Sequence, residues 1–185
     1  MPSRPIVLPR DTLRRLQQGD DDAFERVFRT YYAPLGAFAF RFVRDAARAE
    51  DVVQDVFATL WSSRHSLVVK TSVRAYLYAA VRNRALNVLK HEDVVEAWEI
   101  DESDDDARRL YTTPPQPDAI LDARLINSEL SAAFAALPER QAEVMRLRWR
   151  DELSYAEIAE ALGISVKGVE KHLARGLAAL RSRLT

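Results

Sequence analysis

Between Glu92 and Asp122 the chain carries eleven acidic residues against two basic ones, Arg108 and Arg109, and places Pro114, Pro115 and Pro117 within four positions. No apolar period is sustained through this stretch, so it has no face to bury and nothing to offset the entropy of ordering it. At most a short helix near Val94 fits there. The chain must therefore fold as two separate small pieces. The expected division is a disordered tail over 1–10, a first domain over 11–91, a flexible acidic linker over 92–121 and a second domain over 122–185.

Both pieces read as helical. Nearly half of the residues are apolar, only five are Gly, and no run alternates strictly as a half-buried strand would. Asp11 can cap a short first helix. A second follows Gly19 and Asp20–Asp22, with Phe24, Val27, Phe28 and Tyr31 at helical spacing. Pro34 suits the first turn of a third helix, Leu35 to Val43, on which Leu35, Phe38 and Phe42 share a face. Such an aromatic series is a core stripe in preference to a cofactor box. Asp45 to Trp61 predicts a helix burying Val52, Val53, Val56, Phe57 and Leu60 and turning Glu50, Asp51, Gln54 and Asp55 outward. Ser72 can start a long helix through Lys90, packed through Val73, Leu77, Ala80, Val81 and Val88, with Tyr76, Asn83, Asn87 and Lys90 on another stripe. The second domain opens with Leu125, Ile126, Leu130 and Phe134 on one helix. Pro138 can start the next, which packs through Val144, Met145 and Leu147. The expected fold class is all-α, two small helical domains joined by a flexible acidic linker.

The formal net charge of −1 conceals segregation. From Ser63 to Lys90 there are six basic residues and no acid, and from Ala123 onward ten bases face eight acids. A nucleic-acid surface beside an acidic connector is the reading that this pattern favours. Several function classes recede. There is no Cys for a disulfide or a thiolate site, which suits a reducing cytoplasm. The first ten residues hold Pro2, Pro5 and Pro9 but no signal-peptide apolar run, and no later stretch has the length for membrane insertion. His65, His91 and His172 are far apart in sequence, and no nucleotide-binding Gly loop occurs, so no catalytic residue, metal or cofactor is expected.

The strongest local signal spans Leu153 to Leu180. Ser154 and Glu157 form a capping box, Ile158, Ala159 and Leu162 an inner face, and Gly163 the left-handed stop, with Ile164 plugging the turn. Ser165 caps a second helix through about Arg183, with Val169, Leu173, Leu177 and Leu180 inward. Two short helices joined by a Gly turn make a helix-turn-helix, whose second helix enters the DNA major groove. Its outward set is Lys167, Glu170, Lys171, Ala174 and Arg175. Arg and Lys reach guanine acceptors or phosphates, Glu accepts from cytosine, and Ala leaves room for a thymine methyl. A solvated helical hairpin is the plainer alternative, but capping box, turn Gly, second cap and inward spacing coincide.

Here the chain resembles the extracytoplasmic-function class of bacterial sigma factors, over about Asp20 to Lys90 and Ile126 to Arg183. Leu137-Pro138-Glu139-Arg140-Gln141, Glu143-Val144 and the series Leu153 to Ser165 are similar to family region four. Ala49 to Phe57 is similar to region 2.2 and Tyr76 to Asn83 to region 2.4. The resemblance implies RNA polymerase core as partner, through its β′ clamp and β flap, with Asp51, Gln54 and Asp55 at the positions that dock on the clamp. It implies promoter minus-ten contacts for Tyr76, Arg82, Asn83, Asn87 and Lys90, whose stacking surface, amides and cations suit an unstacked base and its backbone. Minus-thirty-five contacts fall to Glu170, Lys171, Ala174 and Arg175, with Lys167 and His172 as backbone candidates. Lys167-Gly168-Val169 departs from the more usual Gly-Thr-Val, which leaves the recognised bases open. The acidic linker would mimic phosphate in polymerase channels; a merely solubilising tether is the alternative. An anti-sigma protein is a further candidate partner. Two other readings stay open on the residues: a conventional helix-turn-helix regulator, and a sigma mimic that sequesters an anti-sigma protein.

Overall fold

The computed structural model describes residues 8–9, 11–90 and 128–184, and among these every regular element is helical. The expected tail over most of 1–10, the acidic linker with the helix near Val94, and Leu125 and Ile126 lie outside the described residues. The chain divides into two compact units. The N-terminal one holds α1 (Thr12–Gln17), α2 (Asp21–Val43), α3 (Ala46–Ser62), a 3-10 turn (Arg64–Ser66) and α4 (Val73–Lys90). The C-terminal helices are α5 (Ser128–Ala135), α6 (Glu139–Trp149), α7 (Tyr155–Leu162) and α8 (Val166–Leu184).

Gly19, at φ 79°, closes α1. Its N–H donates to the Leu16 carbonyl at 2.9 Å and the Asp20 N–H to the Arg15 carbonyl at 3.0 Å, the paired closure that favours a residue without a Cβ. Asp20 then caps α2, accepting from the Ala23 N–H at 3.0 Å, and also accepts from Arg15 Nε at 2.7 Å. The Arg15 hydrogen bond, then the Ala23 one, hold the Asp20 carboxyl below the usual carboxylate range. Asp11 stands at the N-cap of α1 but makes no side-chain cap hydrogen bond.

One helix replaces the two expected around Pro34. Asp21 to Val43 is continuous, with Pro34 inside it. An internal Pro removes one helical hydrogen bond and costs ~3 kcal/mol. Here Val27, Tyr31, Leu35, Phe38 and Phe42 run in unbroken register across it, all buried. At ~1.5–3 kcal/mol per fully buried large apolar side chain, a continuous stripe outweighs the missing bond. α2 packs on α3 and α4, which also pack on each other. Val52, Val53, Val56, Phe57 and Leu60 come inward from α3, and Val73, Leu77, Val81, Ala85 and Leu89 from α4, while Ala80 and Val88 are only half-buried. Phe24 and Phe28 are half-buried too, forming with Tyr32 and Trp61 an aromatic ridge over Phe57; the Phe28 and Phe57 ring centroids are 4.8 Å apart. Gln17 Nε2 donates to the Leu67 carbonyl at 2.9 Å, tying α1 to the loop that leads to α4.

Among the C-terminal helices, α8 packs on α5 and α6. Val144, Met145 and Leu147 of α6 are buried, as are Val169 and Leu173 of α8. Leu177 is exposed, against expectation, and Gly176 is buried in its stead. The face of α8 runs 169, 173, 176, 180, and a Cβ on Gly176 would collide with Met145 Sδ, so the Met145 side chain of α6 lies against α8 where that helix has none of its own.

Candidate functional sites

The devices that set the helix-turn-helix are in place. The Ser154 N–H donates to Glu157 Oε2 at 2.9 Å and the Glu157 N–H to Ser154 Oγ at 3.3 Å, so the capping box closes in both directions. Gly163, at φ 65°, ends α7: its N–H donates to the Glu160 carbonyl, and the Ile164 N–H donates to the Ala159 carbonyl at 3.0 Å. The Gly168 N–H donates to Ser165 Oγ at 3.0 Å, which starts α8.

Lys167, Glu170, Lys171, Ala174 and Arg175 are all exposed on one face of α8, opposite buried Val169 and Leu173. His172 is half-buried instead, its Nδ1 enclosed without a hydrogen-bond partner. Burial first, then the positive charges of Arg140, Arg175 and Lys171, push its pKa down. A neutral imidazole contributes no cation to a phosphate, so His172 can serve a backbone only as a hydrogen-bonding group. Arg140, on the first turn of α6, was no part of the expected site. Its basicity was visible in the sequence; its place beside α8 was not.

In the N-terminal unit Asp45 caps α3 by accepting from the Arg48 N–H at 2.9 Å. Asp51, Gln54 and Asp55 are exposed on the side away from the core. Gln54 Nε2 donates to Glu50 Oε1 at 3.3 Å, and Glu50 Oε1 also accepts from the Tyr32 hydroxyl at 3.1 Å. Asp55 accepts from Arg84 of α4, a residue that the expected polymerase and minus-ten sets both omit. A shallow groove between α3 and α4 has Asp51, Gln54, Asp55 and Arg84 along its walls, over Val52 and Val88.

Ser72 Oγ accepts from the Ala75 N–H at 3.0 Å and opens α4 as expected. Asn83, Asn87 and Lys90 are exposed and Tyr76 half-buried, on one stripe of the helix. Arg82 is half-buried and, ~100° round the helix from Asn83, lies off that stripe. Among the described residues no helix is long and apolar enough to cross a membrane, and no group of acidic and His side chains could hold a metal ion.

Comparison with known proteins bears on both units. The Sigma-70 region 2 family matches residues 27–94, and the Sigma-70 region 4 family matches residues 128–180. The RNA polymerase sigma factor YlaC of Bacillus subtilis is 28% identical over 164 residues, covering 89% of this chain and 93% of that protein. The ECF RNA polymerase sigma factor SigW of the same organism is 23% identical over 176 residues, covering 93% and 94%. A solved structure of the sigma factor RpoE with the anti-sigma factor NepR, from Bartonella quintana, aligns at a TM-score of 0.55 and 21% identity over 87% of this chain and 96% of that one. That last likeness concerns the fold alone.

Proposed function

Since the chain belongs to the sigma-70 family, among its extracytoplasmic-function members, we propose that its charged helix faces divide the work of promoter recognition among α3, α4 and α8. As an RNA polymerase sigma factor it binds core polymerase and promoter DNA and directs promoter-specific initiation of transcription. In this reading residues 11–91 form the polymerase-binding and minus-ten domain, 122–185 the minus-thirty-five domain, and 92–121 the tether.

The acid and amide face of α3, Asp51, Gln54 and Asp55, is the docking face for a basic helical surface of the polymerase clamp. The stripe Tyr76, Asn83, Asn87 and Lys90 of α4, flanked by Arg82, receives the unstacked minus-ten strand: an aromatic surface and amides meet bases, and cations meet phosphates. The face Lys167, Glu170, Lys171, Ala174 and Arg175 of α8, flanked by His172, reads the minus-thirty-five duplex. An anti-sigma protein would compete for these same surfaces, and NepR bound to RpoE is the kind of complex concerned.

The observation that carries this division is the exposure of Asp51, Gln54 and Asp55 on a helix whose other side is committed to the core. Run-off transcription with core polymerase on a promoter library tests it. Initiation at a defined promoter class is expected, lost together with either the α3 or the α8 face. Specific duplex binding by the chain alone, with no stimulation of polymerase, would point to a conventional regulator instead.

A further inference from the structure

Arg84 donates both Nε, at 2.9 Å, and Nη2 to a single oxygen, Oδ2, of Asp55. The two residues are 29 positions apart, on α4 and α3, and their side chains are about half exposed, 48% and 51%. An outward carboxylate on the face read above as the polymerase-docking face is thus already held by a cation of this same chain. Arg84 also neighbours Asn83 and lies one helical turn before Asn87, both exposed on the face assigned to the promoter strand.

We propose that Arg84 is a placeholder: it holds Asp55 in the free chain, yields it to a basic side chain of the polymerase clamp, and then turns to the phosphates of the promoter strand. This rests on the reading of α3 as the docking face. Three features carry it. Asp55 Oδ2 already accepts two N–H groups from one guanidinium, so an incoming Arg that grips both carboxylate oxygens in a bidentate pair must displace Arg84. The pair stands at the wall of an open groove with Asp51 and Gln54 beside it, so a competing cation has access. A half-exposed ion pair is also weak, which lets it exchange. Such a contact keeps the Asp55 side chain oriented before docking while resisting displacement only slightly. Polymerase binding and promoter-strand binding then draw on one guanidinium, and engagement of the first releases it for the second.

The test uses the full chain with core polymerase, following capture by fluorescence titration, and a single-stranded minus-ten oligonucleotide without polymerase. Arg84→Gln removes the competitor and should tighten core capture about two- to fivefold, the range expected for an exposed pair. Asp55→Asn should weaken core capture yet tighten oligonucleotide binding by a similar factor, with a log–log salt slope steeper by ~0.7 for one added phosphate contact. The double variant should lose that gain. If Arg84→Gln leaves capture unchanged or weaker while Asp55→Asn weakens it, the placeholder is overturned and the docking face stands. If Asp55→Asn leaves capture unchanged, the docking face itself fails. Oligonucleotide binding unmoved by Asp55→Asn overturns the handover to DNA. Unchanged circular dichroism and thermal unfolding exclude a folding defect, and Arg84→Lys, which keeps the charge, should fall between wild type and Arg84→Gln.

Discussion

α3 and α8 each bury one side and present the other, acid and amide on α3 and mostly basic on α8, yet they are held by different means. α3 packs on two helices through Val52, Val53, Val56, Phe57 and Leu60, and its outward Asp55 is oriented by a residue of α4. α8 also packs on two helices, but its buried large side chains among those described are fewer, Val169 and Leu173, and its start is set locally: Gly163 stops α7 and Ser165 caps α8. A face supported by a deep core tolerates surface changes without moving. A face aimed by a turn and a cap is sensitive to local changes that never touch its ligand.

The largest expected effect falls on the outward side of α3. Gln54→Ala with Asp55→Ala should weaken core-polymerase capture on the order of ten- to a hundredfold while leaving the melting temperature in place. Normal holoenzyme formation by this variant would break the contrast, since α3 would then have no outward role. Gly176→Val asks the converse of α8. The added carbons collide with Met145 Sδ, and overpacking of ~1–3 kcal/mol should appear as loss of stability in urea unfolding and weaker upstream promoter binding together.

Arg175→Ala is expected to cost ~1–3 kcal/mol of promoter affinity with relaxed specificity at one position if the guanidinium reads a base; a phosphate contact would mainly lower the salt slope. Occupancy and salt dependence both unchanged in a footprinting titration would remove Arg175 from the interface. Ser154→Ala breaks the capping box and should destabilise by ~1 kcal/mol, with an effect on amide exchange concentrated in α7. The smallest effect concerns pH. The folded pKa of His172 lies below its ordinary 6.5, so its contribution to stability is present above that value and is lost as pH falls through 6.5 and on through the folded pKa. Arg140, Arg175 and Lys171 all oppose its protonation. Thermal unfolding of His172→Gln should accordingly fall less than wild type between pH 7 and 5, and parallel curves would refute the assignment.

The contrast between the helices also explains what could be read in advance. Ser154 with Glu157, Gly163, and Ser165 with Gly168 act over three to five positions, so their residue types and spacing specify their geometry. Pro34 misled for a related reason: the local rule disfavours an internal proline, and only the stripe from Val27 to Phe42, buried by α3 and α4, overrides it. Leu177 stands at inward spacing, four positions after Leu173, but packing against Met145 selects the adjacent Gly176 instead. The exposed faces of α3 and α8 were legible because amphipathic spacing makes one side of a helix outward as soon as the other is inward.

The sequence by itself determined the helical class, the helix-turn-helix with its caps, and which side of α3 carries acid and amide, because each follows from contacts within about one turn of the chain. The tertiary structure alone decided that α2 runs through Pro34, that His172 lies enclosed beside Arg140, and that Arg84 reaches across to Asp55. Those outcomes depend on which helices approach and how closely. Separations such as the 29 positions between Asp55 and Arg84 leave no period or spacing in a sequence from which they could be read.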